Sequence, residues 1–217
     1  MKKHLAFTLT ELLMALTIVG VLAVLTVPIL INNFQNRLFA TQIKNFSAEI
    51  EQFAQDQLIT HKTRDLMDTD FGEPSKLLTD GHFSIVKICT AANCRKDCWK
   101  TEAEGKDKVT YKLLNGQNKS AIDPGVTIIL KNGLIFRYSI VSQSGTQYAR
   151  FLVDVNGNDK PNIVGRDFFA FHLDSRGHIV SLLNNSKEKL KACKSDKSHA
   201  QHYCYSILVD NGWKMDY

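Results

Sequence analysis

The sequence predicts an α+β fold in which one long N-terminal helix precedes an antiparallel β meander. Three observations carry this. The span from Phe7 to Ile31 is apolar with a single ionisable side chain, Glu11; an apolar stripe at helical spacing follows; and from Val126 the chain takes on the period of strands. The composition, 44% hydrophobic and 23% charged over 217 residues, excludes a disordered or low-complexity chain. The net charge is +5.

The apolar run comes first. At ~1.5 Å per residue a helix of this length reaches roughly 38 Å, more than the ~30 Å hydrocarbon core of a bilayer. It also exceeds the ~7 to 15 apolar residues of a secretory signal, and no A-x-A cleavage pattern follows it. Lys2, Lys3 and His4 precede it and place the N-terminus in the cytoplasm, with the remainder outside. A free-standing cytosolic enzyme is therefore disfavoured. Glu11 is the anomaly, because a carboxylate inside an apolar helix costs a few kcal/mol on insertion and marks a functional candidate. The alternative is that it snorkels to the headgroups from the helix end. Pro28 lacks an amide hydrogen and is expected to bend the helix or loosen one turn.

Taken together, Lys2-Lys3-His4-Leu5-Ala6, then Phe7-Thr8-Leu9-Thr10-Glu11, then the apolar run with Gly20 and Pro28 resemble the class III signal and first helix of type IV pilins and type II secretion pseudopilins. The resemblance covers residues 1 to 31 and implies a pilin-like fold. It implies that a prepilin peptidase cuts between Ala6 and Phe7 and methylates the new N-terminus at Phe7. The family usually has Gly where this chain has Ala6. It implies that Glu11 meets the N-terminal amine of a neighbouring subunit during assembly, a pairing strengthened by low dielectric. The implied partners are the peptidase, copies of this chain or sibling pilins, and an inner-membrane assembly platform. The implied location is the bacterial inner membrane, single-pass, and then a filament in the periplasm or at the cell surface.

This divides the chain into a leader (1–6), a transmembrane and polymerisation helix (7–31), an amphipathic continuation (32–58) and an exported domain (59–217). In the continuation, Phe39, Ile43, Phe46, Ile50 and Phe53 recur at intervals of four, three, four and three, one stripe on a polar helix ending near Gln57. Residues 59–125 read as an irregular insert rich in glycine. Residues 126–182 read as the sheet, with strands at Val126–Leu130, Leu134–Ile140, Tyr148–Asp154, Phe168–Leu173 and His178–Leu182. Lys131-Asn132-Gly133 is a hairpin signal. Residues 183–217 read as a C-terminal disulfide loop region.

Asp154, Asn156, Asn158, Asp159 and Asp167 place oxygen ligands at alternating positions of one loop, which suits a hard cation such as Ca²⁺. The EF-hand template fails, since Asp159 stands at its sixth position where glycine is needed and Gly165 at its twelfth where Glu is needed. Some type II secretion pseudopilins hold calcium in such a loop; the competing reading is a plain turn. All five cysteines lie in the exported part, where disulfides persist. Cys193 and Cys204 resemble the pair that staples the C-terminal region of many pilins. A Cys/His zinc site with His199 and His202 is the weaker alternative, because the spacings match no standard motif. One pair is expected among Cys89, Cys94 and Cys98, and the sequence does not say which.

Residues 87–118 and 187–197 are basic, but interspersed acids favour a solvated face over nucleic-acid binding. No catalytic motif appears. The leading reading is a structural filament subunit without enzymatic activity. The alternatives are a membrane-anchored extracytoplasmic binding protein or enzyme, and a DNA-binding minor pilin.

Overall fold

In the computed structural model, residues 8–79, 81–143, 145–181 and 186–217 are described. Helix α1 spans Leu9–His61. The chain divides into two compact units, the first ending at Leu38 and the second running from Phe39 to Tyr217.

Within the first unit α1 exposes its apolar side chains all round, from Leu9 through Val19 and Ile29 to Phe34. Such a surface is what a helix shows when hydrocarbon or other helices are its solvent. The hydroxyls of Thr17 and Thr26 bond back to carbonyls one turn earlier, which removes two polar groups from that surface.

Within the second unit α1 is amphipathic. Phe39, Ala40, Ile43, Phe46, Ser47, Ile50, Phe53, Ala54 and Gln57 are buried, the stripe that the spacing predicts. The stripe packs on a six-stranded antiparallel sheet in sequential order: β1 (Ile85–Cys89), β2 (Thr127–Leu130), β3 (Ile135–Gln143), β4 (Thr146–Asp154), β5 (Phe168–Leu173) and β6 (Ile179–Val180). Register sets the packing. Tyr138, Phe151 and Phe171 lie opposite one another across β3, β4 and β5, and Phe136 lies opposite Val153. The Phe46 ring meets those of Phe136, Phe151 and Phe171 at 5.4, 6.4 and 6.3 Å.

The other face of the sheet is buried as well. Phe168 lies opposite Asp154 on β4, and Trp99 and Tyr111 of the insert cover it at 5.7 and 4.6 Å. All six residues of β5 are consequently buried. The β2–β3 hairpin turns through Lys131-Asn132-Gly133, with Gly133 at φ +88° and the Asn132 side chain accepting from the Leu134 amide.

Three expectations change. The segment 59–125 is not wholly irregular: it contributes the short helix α2 (Pro74–Thr79) and β1, so the sheet begins at Ile85, well before the expected start at Val126. Strand β1 escapes the periodicity test because Val86 and Ile88 are exposed on the sheet edge, and its burial does not alternate cleanly. The described part of the region 183–217 is mainly helical, not a loop: α3 (Ser186–Ser195) is followed by α4 (Ala200–Asp210). Leu182, the last residue of the fifth expected strand, lies outside the described residues, and the strand itself is short.

Phe46 is the ring shared by helix and sheet, so Phe46→Ala should destabilise the second unit by about 3–5 kcal/mol. Phe34→Ala, on an exposed position of the first unit, should change it by less than about 0.5 kcal/mol. Denaturant midpoints of the detergent-solubilised chain distinguish the two; equal midpoints would refute this assignment of the core.

Candidate functional site

Helix α1 begins with a reciprocal cap. The Glu11 carboxylate accepts from both the amide and the hydroxyl of Thr8, at 2.9 and 2.8 Å, and the Glu11 amide donates to the Thr8 hydroxyl at 3.2 Å. This is a capping box, and Thr8-x-x-Glu11 was its sequence signal. Glu11 therefore has a local role beside any intermolecular one. Ala6 and Phe7 lie outside the described residues. Pro28 sits inside α1, which continues through it, and the Val24 carbonyl loses its amide partner there. The helix contains an 18-residue window of mean hydropathy 2.6, long and apolar enough to cross a membrane by length and composition.

The loop after β4 brings Asp154 and Asp167 together. Asp154 is fully buried and accepts from the Tyr111 hydroxyl at 2.5 Å. Asp167, also buried, accepts from the amides of Asn162 and Ile163 at 2.6 and 2.7 Å. Burial, and then the charge of Asp167, push the Asp154 carboxyl well above its usual range. The neighbouring amides are oriented by what they donate to: Asn156 Nδ2 to the carbonyls of Asp159 and Lys160, Asn158 Nδ2 to the carbonyl of Cys98. Their Oδ1 atoms, and that of Asn162, are left buried and without a donor. Asp159 is exposed. Among the described residues no three His, Cys, Asp or Glu side chains gather around one point.

Two disulfides form. Cys89 at the end of β1 pairs with Cys98, which closes a π turn over Cys94–Cys98, and Cys193 of α3 pairs with Cys204 of α4. The second therefore clamps two helices. Its sulfurs are bonded to each other, so the zinc alternative with His199 and His202 has no thiolate ligand. Cys94 remains a buried free thiol.

Sequence reasoning missed a cluster of basic side chains on the insert-covered face of the sheet, in which Lys and Arg carry the charge. Arg137, Arg150 and His172 come from β3, β4 and β5, and Lys119, His199 and His202 close over them. The His172 and His202 rings stack at 4.5 Å. Burial, then Arg150, then His199 lower His172 to about 4. No contiguous motif could have revealed it, because its members are spread over eighty residues.

Residues 1–27 match the family model described as the prokaryotic N-terminal methylation motif, the signature of type IV pilins and pseudopilins. Comparison with the curated proteins and with the solved structures gave no match.

The neutral His172 has a pH consequence. Its folded value of about 4 lies below the ordinary ~6.5, so the unfolded chain binds a proton first as pH falls. Stability is complete above about pH 6.5 and is lost towards pH 4, by on the order of 2–3 kcal/mol from this group. The groups facing it are Tyr148 and Arg150 on β4, His199 at the N-cap of α4 and His202 on α4. His172→Gln should flatten that part of the stability profile, measured by denaturant titrations at stepped pH; an unchanged slope would show that His172 is not held neutral.

Proposed function

We propose that the chain is the precursor of a filament subunit of the type IV pilus or type II secretion class. The observation that carries this reading is the methylation motif over residues 1–27 running directly into a helix whose apolar side chains are exposed all round. In this reading prepilin peptidase cuts between Ala6 and Phe7 and methylates Phe7. The first part of α1 anchors the precursor in the inner membrane and later packs among the helices of identical or sibling subunits, on the assembly platform. Glu11 exchanges its Thr8 cap for the amine of a neighbouring Phe7, and Pro28 supplies a place where the helix can extend. The role is structural, and the exported domain decorates the filament surface.

Intact-mass and peptide mass spectrometry of the protein from cells should find the chain starting at Phe7 with one added methyl group. A retained leader, or a cut after the apolar run, would sink the reading. Glu11→Val should leave the protein in the membrane fraction and remove it from sheared filaments, read by immunoblot of both fractions; normal incorporation would show that the carboxylate has no assembly role.

A second reading concerns the loop after β4. The donor-less oxygens of Asn156, Asn158 and Asn162, beside the buried carboxylates of Asp154 and Asp167, form an oxygen-rich set that fits Ca²⁺, with Asp159 at its exposed edge. A bound dication would supply the counter-charge that two buried carboxylates lack. Calcium at about 100 times its dissociation constant should stabilise the domain by about 2.7 kcal/mol. Thermal unfolding with CaCl₂, MgCl₂ and chelator tests this. Asp167→Asn should abolish the calcium shift, and a midpoint indifferent to calcium would remove the site.

A further inference from the structure

The strongest unexplained feature is the cavity of about 270 Å³ on the insert-covered face of the sheet. Ser139 lies opposite Arg150, and Arg150 opposite His172, so these residues share a face; Arg137, two residues before Ser139, shares it too. It is the face opposite Phe136, Phe151 and Phe171, which meet α1. The segment Lys119–Asp123 and the start of α4 roof it. The cavity is lined by three cations, Lys119, Arg137 and Arg150, and by one carboxylate, that of the exposed Asp123.

These cations are poorly compensated. Arg137 is 5% exposed; its guanidinium donates to the backbone carbonyl of Asp123, while its Nε is buried without an acceptor. Arg150 donates Nε to the Ser139 hydroxyl. Lys119 makes no ion pair among the described residues, and its ammonium lies 5.9 Å from the Phe168 ring. His202, 7% exposed, has Nδ1 without a partner, and the Oε1 of Gln201 is an acceptor without a donor. Burying unpaired charge is costly, and orphaned buried polar atoms are rare in native folds. Burial is the main cause that lowers Lys119 to about 8; the carboxylates of Asp123 and Asp196 oppose it and Arg150 adds to it. The cavity is built to be completed by an anion.

The orphaned atoms say more about it. Arg137 Nε calls for an acceptor, as a phosphate oxygen supplies, whereas Gln201 Oε1 calls for a donor, as a hydroxyl supplies. Three lining cations face the Asp123 carboxylate, with Asp196 acting on Lys119 from outside the lining, and this leaves a net positive site that suits an anion. The volume lies near the lower end of small-molecule sites, ~300–1,000 Å³, which exceeds what a bare phosphate fills. We propose that this cavity binds a phosphate monoester of a small hydroxylated molecule, with Lys119, Arg137 and Arg150 on the phosphate and Gln201 on a hydroxyl. The proposal is independent of the filament reading. A phosphodiester polymer is the poorer fit, because it carries one charge per phosphate and needs an open groove rather than a roofed cavity.

Calorimetric titration of the full chain in detergent, at fixed ionic strength, provides the test. The probes are glucose 6-phosphate, inorganic phosphate, glucose and a short DNA duplex. Saturable binding is expected for glucose 6-phosphate, weaker binding for inorganic phosphate and none for glucose. Lys119→Gln, at a half-buried position with no ion pair to lose, should keep the wild-type unfolding midpoint or raise it while weakening glucose 6-phosphate about tenfold or more. Gln201→Leu should weaken glucose 6-phosphate but leave inorganic phosphate unchanged. The proposal is overturned by absence of saturable binding, by equal affinity in Lys119→Gln, or by DNA that displaces the monoester.

Discussion

The structure depends on one constraint: α1 must keep its backbone hydrogen bonds inside itself, save at Pro28, while its surroundings change along its length. A bilayer offers no water to satisfy an open amide, so a segment apolar enough to span one is restricted to a helix or a closed barrel. Because the helix continues past Leu38 without a break, the second unit begins on a helix already formed. What changes at Phe39 is only the distribution of apolar side chains, from the whole circumference to one stripe. That stripe fixes the phase of the sheet, since a one-residue slip of any strand would carry Phe136, Phe151 or Phe171 away from Phe46.

The second constraint follows from the insert. A sheet packed on one helix has a dry face and a wet one, and strands then alternate. Here Trp99 and Tyr111 dry part of the second face, so polar groups that would otherwise meet water are enclosed: Asp154, Asp167, Arg137, His172. The enclosed acids and the enclosed bases lie under different parts of the same cover. Both groups of orphaned polar atoms, the asparagine oxygens by the acids and the Arg137, Gln201 and His202 atoms by the bases, arise from this one architectural decision.

What was legible in the sequence was what is local. The apolar run, the stripe of α1, the Asn-Gly hairpin and β5 were readable because each depends on a period or on a turn residue. Strand β1 was not, because an edge strand needs only one partner and its exposed Val86 and Ile88 mimic a connection. Helix α3 was hidden by its lysines, since it has one buried side of little apolar character and its packing rests on the disulfide to α4; α4 was hidden because its cysteine read as part of a loop. The capping role of Glu11 was present as Thr8-x-x-Glu11, overshadowed by the oddity of an acid in an apolar run. The cationic cavity was beyond reach, since strand register, not sequence proximity, brings Arg137, Arg150 and His172 to one face.

Cys94 gives the odd count of cysteines a different meaning. It lies inside the loop that Cys89 and Cys98 close, the position from which a thiol most readily attacks a neighbouring disulfide. Such exchange requires the attacking sulfur to be accessible, and Cys94 is wholly enclosed with its thiol directed at the Ala91 carbonyl. Enclosure thus secures the pairing of its neighbours kinetically: three cysteines permit three isomers of one bond, and only opening of the π turn lets the chain sample the other two. The odd thiol is a bystander for as long as the turn stays shut.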